Sequence, residues 1–265
     1  MVNILLNTFR FAEPWYQPTI GRYLSPHMSV LVFPFAFRSE QIPSAQEWEK
    51  FYNPIDGMFS MGLAAVFGQY GIPISQMEWV NYYEADSSAL VDKIADSDVL
   101  YFCGGEPDLL YQRLCELKLL EPLKCFDGIV MGDSAGAVIQ FDCYHDQPGL
   151  GYLQEFDLEV HFTGDKEQEK TIQEILHAHK RPVFALRPNG ALVVVDGRIH
   201  SMGDVMCVFP ANKDLAADVY TIDAGIAEVE AEVQNSKLMD ASEALSALKK
   251  RYFGEKTDYC PLHFS

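Results

Sequence analysis

The sequence predicts an α/β protein, a three-layer sandwich with a mostly parallel central sheet, followed by a C-terminal helical extension. Three observations carry this. Short continuous apolar runs recur at residues 30–33, 99–103, 128–131, 182–186 and 205–209, and strands apolar on both faces suit a sheet covered by helices on each side. Stretches with helical spacing separate the runs, the alternation from which parallel sheets are built. The chain has 265 residues, 48% of them hydrophobic and 22% charged. That balance is that of a folded globular protein and excludes wholesale disorder or a coiled-coil rod. With no repeat or linker-like tract, one domain over residues 1–265 is the simplest organisation, a core to residue 220 and an extension over 221–265.

Taken in order, Met1-Val-Asn-Ile-Leu-Leu lacks a basic start and a cleavage site, so it reads as a first strand and not as a signal peptide. Ser44-Ala-Gln-Glu47 is a capping-box pattern, and Trp48, Phe51, Tyr52, Ile55, Phe59, Leu63 and Val66 follow at helical spacing. Pro54 should split that stretch, with Asn53 capping the second piece. Further helices are expected over 87–95, 107–117 and 166–177. Asp196-Gly197 between two apolar runs is a hairpin signal, so the later strands should be antiparallel. From Asp240 a second capping pattern, with Gly254 as a stop, suggests a peripheral helix.

Charge narrows the partners. Twenty Lys plus Arg against 38 Asp plus Glu leave a formal charge of -18, and such a surface repels phosphate backbones and anionic lipid heads. Nucleic acid and membrane are therefore not expected, and no apolar run is long enough to span a bilayer. The six cysteines (103, 115, 125, 143, 207 and 260) include no C-x-x-C pair, which favours free thiols and a cytoplasmic setting. No Walker loop, G-x-G-x-x-G or H-E-x-x-H is present, so no metal or organic cofactor is expected.

The strongest chemical signal is Gly132-Asp-Ser134-Ala-Gly136, which follows one apolar run and precedes Ala137-Val-Ile139. A serine at a tight strand-to-helix turn needs small residues two positions to either side, and the turn lifts its hydroxyl out of the sheet. The Ala135 N–H then points at any oxyanion formed on attack. Cys103-Gly-Gly105 also follows a strand and opens a helix at Pro107, and paired glycines allow the close approach that a second oxyanion donor needs. A serine hydroxyl also requires a base, usually histidine. Among seven histidines, His177 and His179 end a helix, where capping suffices, and His145 follows the elbow helix. His161 leads on position, because it closes a strand-like run, where doubly wound folds gather their sites.

These residues resemble the serine peptidases typified by peptidase E (aspartyl dipeptidase) and, more distantly, cyanophycinase. The likeness covers residues 1–209 and lies in Val32-Phe-Pro-Phe35, Cys103-Gly-Gly105 with Leu109-Leu110, Gly132-Asp-Ser-Ala-Gly-Ala137 and Val160-His-Phe-Thr163. It implies a class I glutamine amidotransferase-like (flavodoxin-like) fold, Ser134 as nucleophile, His161 as catalytic histidine, and the N–H groups of Gly105 and Ala135 as the oxyanion hole. The substrate implied is a small peptide or a related amide, and a homo-oligomer is compatible with it. The family places a carboxylate after the next strand, where this chain has Pro188 and Asn189. Asn189 could accept a hydrogen bond from the imidazole but cannot stabilise imidazolium by charge; Asp146 and Asp196 have no positional support. The alternative is a binding or regulatory module that keeps the fold with little or no turnover. The helix after His161 holds no arginine, and Lys166, Lys170 and Arg187 are the nearest cations, so no aspartyl preference is predicted. A cysteine-dependent glutaminase is disfavoured by Ser134, and an α/β-hydrolase by the lack of a late histidine other than His263.

Overall fold

The computed structural model describes residues 1–209, which fall into two compact units, Met1–Gln154 and a second beginning at Glu155. The expected extension over 221–265 lies outside the described residues.

The first unit runs β1 (Val2–Leu6), α1 (Gln17–Ile20), β2 (Val30–Phe33), α2 (Ala45–Tyr52), α3 (Met58–Gly68), β3 (Met77–Trp79), α4 (Ser87–Asp96), β4 (Val99–Phe102), α5 (Pro107–Glu116), α6 (Leu120–Lys124), β5 (Ile129–Asp133) and α7 (Ala135–Val138). A short ribbon of β6 (Cys143–Tyr144) and β7 (Gln147–Pro148) completes it. Five strands pair in parallel in the order β1-β5-β4-β2-β3, so the α/β class read from the sequence is the one the chain forms. β2 and β4 are buried along their whole length, as continuous apolar runs require. Leu31, Phe33, Leu100, Phe102 and Val130 pack with Leu110, Leu114 and Leu123 from α5 and α6, each such side chain contributing about 1.5–3 kcal/mol on burial. The chain leaves β2 towards β3 and leaves β4 towards β5, in opposite directions across the sheet. Open α/β sheets gather their ligands at the carboxyl ends of strands around such a reversal.

Ser44 caps α2 as expected, its hydroxyl accepting from Glu47 N–H at 3.3 Å. Pro54 does divide the two helices, but Asn53 does not cap the second; Gly57 does. A residue before proline is pushed into extended backbone, and Asn53 sits at φ -56°, ψ 130°. Its side chain accepts from Ile55 N–H and its carbonyl from Gly57 N–H, both at 2.8 Å, so a turn separates α2 from α3.

The second unit runs β8 (Asp157–Glu159), α8 (Lys166–His179), β9 (Val183–Leu186), β10 (Ala191–Val195), β11 (Arg198–Met202) and β12 (Val205–Val208). β9 pairs in parallel with β8 and antiparallel with β12. β10 and β11 form the antiparallel hairpin signalled by Asp196-Gly197, which hold φ 48° and 71°, the positive values a tight hairpin turn demands. Asp165 caps α8 by accepting from Glu167 and Gln168 N–H at 3.0 Å. Phe162, Ile172, Leu176, Val183, Met206 and Val208 belong to this unit's own core. No helix among the described residues is long and apolar enough to cross a membrane, and among the described residues no disulfide links Cys103, Cys115, Cys125, Cys143 or Cys207.

Candidate active site

Steric necessity builds the turn at Ser134. β5 runs past its apolar stretch because Gly132 and Asp133 pair with Leu5 and Leu6, and Ser134 N–H donates to the Leu6 carbonyl at 2.9 Å. α7 starts at the next residue. Passing from strand to helix within one residue forces Ser134 to φ 51°, ψ -113°, which costs an L residue about 1–3 kcal/mol. A Cβ on Gly132 would lie 2.1 Å from the Gly136 carbonyl oxygen, and one on Gly136 would lie 1.8 Å from the Phe102 carbonyl oxygen. The G-x-S-x-G spacing is thus a packing requirement of this elbow.

The turn after β4 is fixed at both ends. Cys103 N–H donates to the Phe33 carbonyl at 3.2 Å and Glu106 N–H to the Ala36 carbonyl at 2.8 Å. Between them Gly105 holds φ 139°, and a Cβ there would meet the Ala36 oxygen at 2.3 Å, so only glycine fits. A Cβ on Gly104 would sit 3.2 Å from Ser134 Cβ, which puts this turn against the serine. The N–H groups of Gly105 and Ala135 make no hydrogen bond among the described residues. Ser134, Gly105 and Ala135 therefore come together within the first unit.

His161 and Asn189 lie in the second unit, beyond the carboxyl ends of the neighbouring parallel strands β8 and β9. His161 is exposed at φ 54°. Its carbonyl accepts from Gln168 Nε2 at 2.9 Å, while Phe162 N–H donates to the Leu186 carbonyl at 2.9 Å. Asn189 sits exposed in a turn closed by Gly190 N–H donating to the Arg187 carbonyl at 2.7 Å. Phe162, Thr163, Ile172, Arg187 and Met206 are among the residues lining a cavity of about 200 Å³ beside the His161 loop. Arg187 is already 3.5 Å from the Asp204 carboxylate. His179, at the end of α8, hydrogen-bonds the buried Asp157 through Nδ1 at 2.9 Å, and Arg181 holds both Asp157 oxygens at 2.8 Å, which gives that histidine a structural role in the fold.

Sequence reasoning passes over Asp133. Its side-chain Oδ1 accepts from Tyr101 Oη at 2.8 Å and from Gly104 N–H at 3.2 Å. Burial pushes its carboxyl up to about 6, and the two hydrogen bonds offset part of that rise. Burial also raises the Cys103 thiol and the Tyr101 and Tyr52 hydroxyls, with Asp133 adding to each. An acid in the last position of an otherwise apolar strand is the signal that could have found it.

Two solved structures share the architecture. One is a protein of Listeria monocytogenes EGD-e assigned as peptidase E, at TM-score 0.51 and 16% identity, matching 79% of this chain and 98% of its own. The other is a peptidase from an acI-B1 Actinobacterium, at TM-score 0.53 and 16% identity, matching 83% and 96%. Identities this low speak to the fold alone. Among curated protein sequences none matches this chain. The family model of peptidase family S51 matches residues 42–202, a span that holds the Gly-Gly turn, the serine elbow and the histidine loop. The chain belongs to peptidase family S51.

Proposed function

We propose that this peptidase-family chain hydrolyses a small peptide or related amide through an acyl-enzyme on Ser134. Ser134 Oγ attacks the carbonyl carbon while His161 takes its proton as base, then returns it to the leaving amine as acid. The N–H groups of Gly105 and Ala135 receive the oxyanion, and Asn189 accepts a hydrogen bond from the imidazole. Water, deprotonated by His161, then cleaves the acyl-enzyme and frees Ser134.

One coincidence carries this reading. A strained serine backbone, held by glycine contacts on both sides, lies beside two N–H groups that no described residue satisfies. Ala135 is buried, and a buried N–H without a partner costs about 1–3 kcal/mol, an arrangement that makes sense when a ligand supplies the acceptor. The acidic chain, and cysteines without a disulfide among the described residues, favour a cytoplasmic enzyme acting on a small substrate, outside nucleic acid and membrane surfaces.

A second reading, a binding or regulatory module without turnover, is motivated by the non-acidic Pro188 and Asn189 at the carboxylate's expected place. A fluorophosphonate probe with intact-mass readout separates the two. The enzyme reading expects a single adduct on the full chain, mapped to Ser134 and lost in Ser134→Ala. Folded protein that takes no adduct belongs to the second reading.

A further inference from the structure

We propose that Asp133 is the positioning residue of the oxyanion hole: its carboxylate locks the Gly104–Gly105 turn so that the Gly105 N–H faces the carbonyl oxygen of a substrate attacked by Ser134. This rests on the reading of Ser134 as nucleophile.

The geometry is a short strut between two segments. Asp133 is the last residue of β5 and is paired with Leu6, so its Cα cannot drift. Its Oδ1 accepts from Gly104 N–H at 3.2 Å, and its Oδ2 lies 2.6 Å from where a Cβ on Gly104 would stand. Backbone bonds from Cys103 and Glu106 hold only the two ends of that turn. Its middle is two glycines, which sample more backbone conformations than any other residue. Among the described residues, Asp133 is the side chain that bonds a turn N–H between those ends. Tyr101 Oη, at 2.8 Å, fixes the rotamer of the carboxylate from β4. An oxyanion donor misplaced by a fraction of an ångström loses much of its effect, because the stabilisation depends on donors that need no reorganisation.

The charge works against this role. A carboxylate next to the nucleophile repels a developing oxyanion, yet an acid and not an amide occupies the site. The groups facing it are Tyr101 and Cys103 on β4 and its turn and Tyr52 on α2, with Arg113 of α5 beyond Tyr52. No lysine or arginine pairs with Asp133 among the described residues. The hydrogen-bonding geometry and the charge can therefore be varied separately.

The test needs no natural substrate. In labelling by a fluorophosphonate, the Ser134 Oγ–P bond forms, fluoride departs, the serine proton passes to the base, and the phosphoryl oxygen occupies the oxyanion site. The limiting labelling rate and the probe's half-saturating concentration are measured on the full chain from pH 5 to 9 for wild type, Asp133→Ala, Asp133→Asn and Tyr101→Phe. Asp133→Ala should lower the limiting rate about 10- to 100-fold, with half-saturation changed less than about threefold. Asp133→Asn keeps an acceptor towards Gly104, so at pH 8 it should stay within about threefold of wild type. Tyr101→Phe should fall between them, and it carries the test with the Asn variant if the Ala variant does not fold. Equal limiting rates in all variants that fold would overturn the proposal and leave the nucleophile standing. An Asn variant as slow as Ala overturns positioning in favour of a purely electrostatic role. An unlabelled wild type would remove the Ser134 reading itself.

Discussion

The elbow region and the histidine region hold their chemistry in opposite ways. Around Ser134, carbonyl oxygens leave no room for a Cβ at positions 105, 132 or 136, and each segment is tied into a parallel sheet. The two turns around Ser134 are thus held as firmly as the core beneath them. His161 and Asn189 sit on exposed turns, and the carbonyl of His161 is held by the side chain of Gln168. In the mechanism proposed above, an imidazole that must approach one atom and then another would benefit from an exposed setting, whereas an oxyanion donor would gain nothing from moving. Stability and activity should therefore be coupled at the elbow and separable at the histidine.

The sharpest way to break this contrast is Gly136→Ala. Its Cβ would meet the Phe102 carbonyl oxygen at 1.8 Å, and neither backbone segment can retreat without opening the β4–β5 pairing. We expect a loss of about 3 kcal/mol or more, seen as a large fall in the midpoint of thermal unfolding together with loss of probe labelling. Normal stability in this variant would mean that the elbow is softer than its contacts imply.

Next in size is His161→Ala. If His161 is the base proposed above, its removal should slow fluorophosphonate labelling about 10²- to 10⁴-fold, while unfolding shifts by no more than about 0.5 kcal/mol, as for an exposed position. A variant that lost stability and labelling in step would erase the distinction between the two regions.

What the sequence made legible follows the same division. The strands at 30–33, 99–102 and 183–186 could be read because buried parallel strands are apolar on both faces, and the hairpin because Asp196-Gly197 allows little else. The sharp turn at Ser134 was legible because its glycines are sterically obligatory. Asn53 was misread as a cap because capping preference concerns one residue, while Pro54 imposes extended backbone before it. Asp133 escaped notice because its hydrogen-bond partners, Tyr101 and Gly104, lie 32 and 29 residues away in the chain, and no local pattern encodes that meeting.

Asp133 also predicts a smaller effect, on stability. Its carboxyl rises from 3.8 to about 6 on folding, so the native state holds the proton more tightly than the unfolded chain. Its contribution to stability therefore falls as pH climbs from about 4 to about 6 and is constant above that. Asp133→Asn removes this dependence. It should match wild type near pH 4 and exceed it by roughly 1–2 kcal/mol above pH 6, less than the full shift because the neutral amide makes weaker hydrogen bonds. Unfolding midpoints of both proteins between pH 4 and 8 give the answer, and parallel curves would show that burial does not penalise this acid.

The smallest effect concerns Asn189. If this amide orients the imidazole, Asn189→Ala should slow labelling about two- to threefold. Asn189→Asp should speed it severalfold and raise the pH at which the base loses its proton, because a carboxylate favours imidazolium. The gain must be modest, since Asn189 is exposed and solvent-screened charge pairs contribute about 0.2–1 kcal/mol. Opposite responses to Ala and Asp would place Asn189 behind the histidine. Identical rates in both variants would instead mean that the histidine turn keeps its geometry without the Asn189 side chain, making the exposed region more self-sufficient than its exposure suggests.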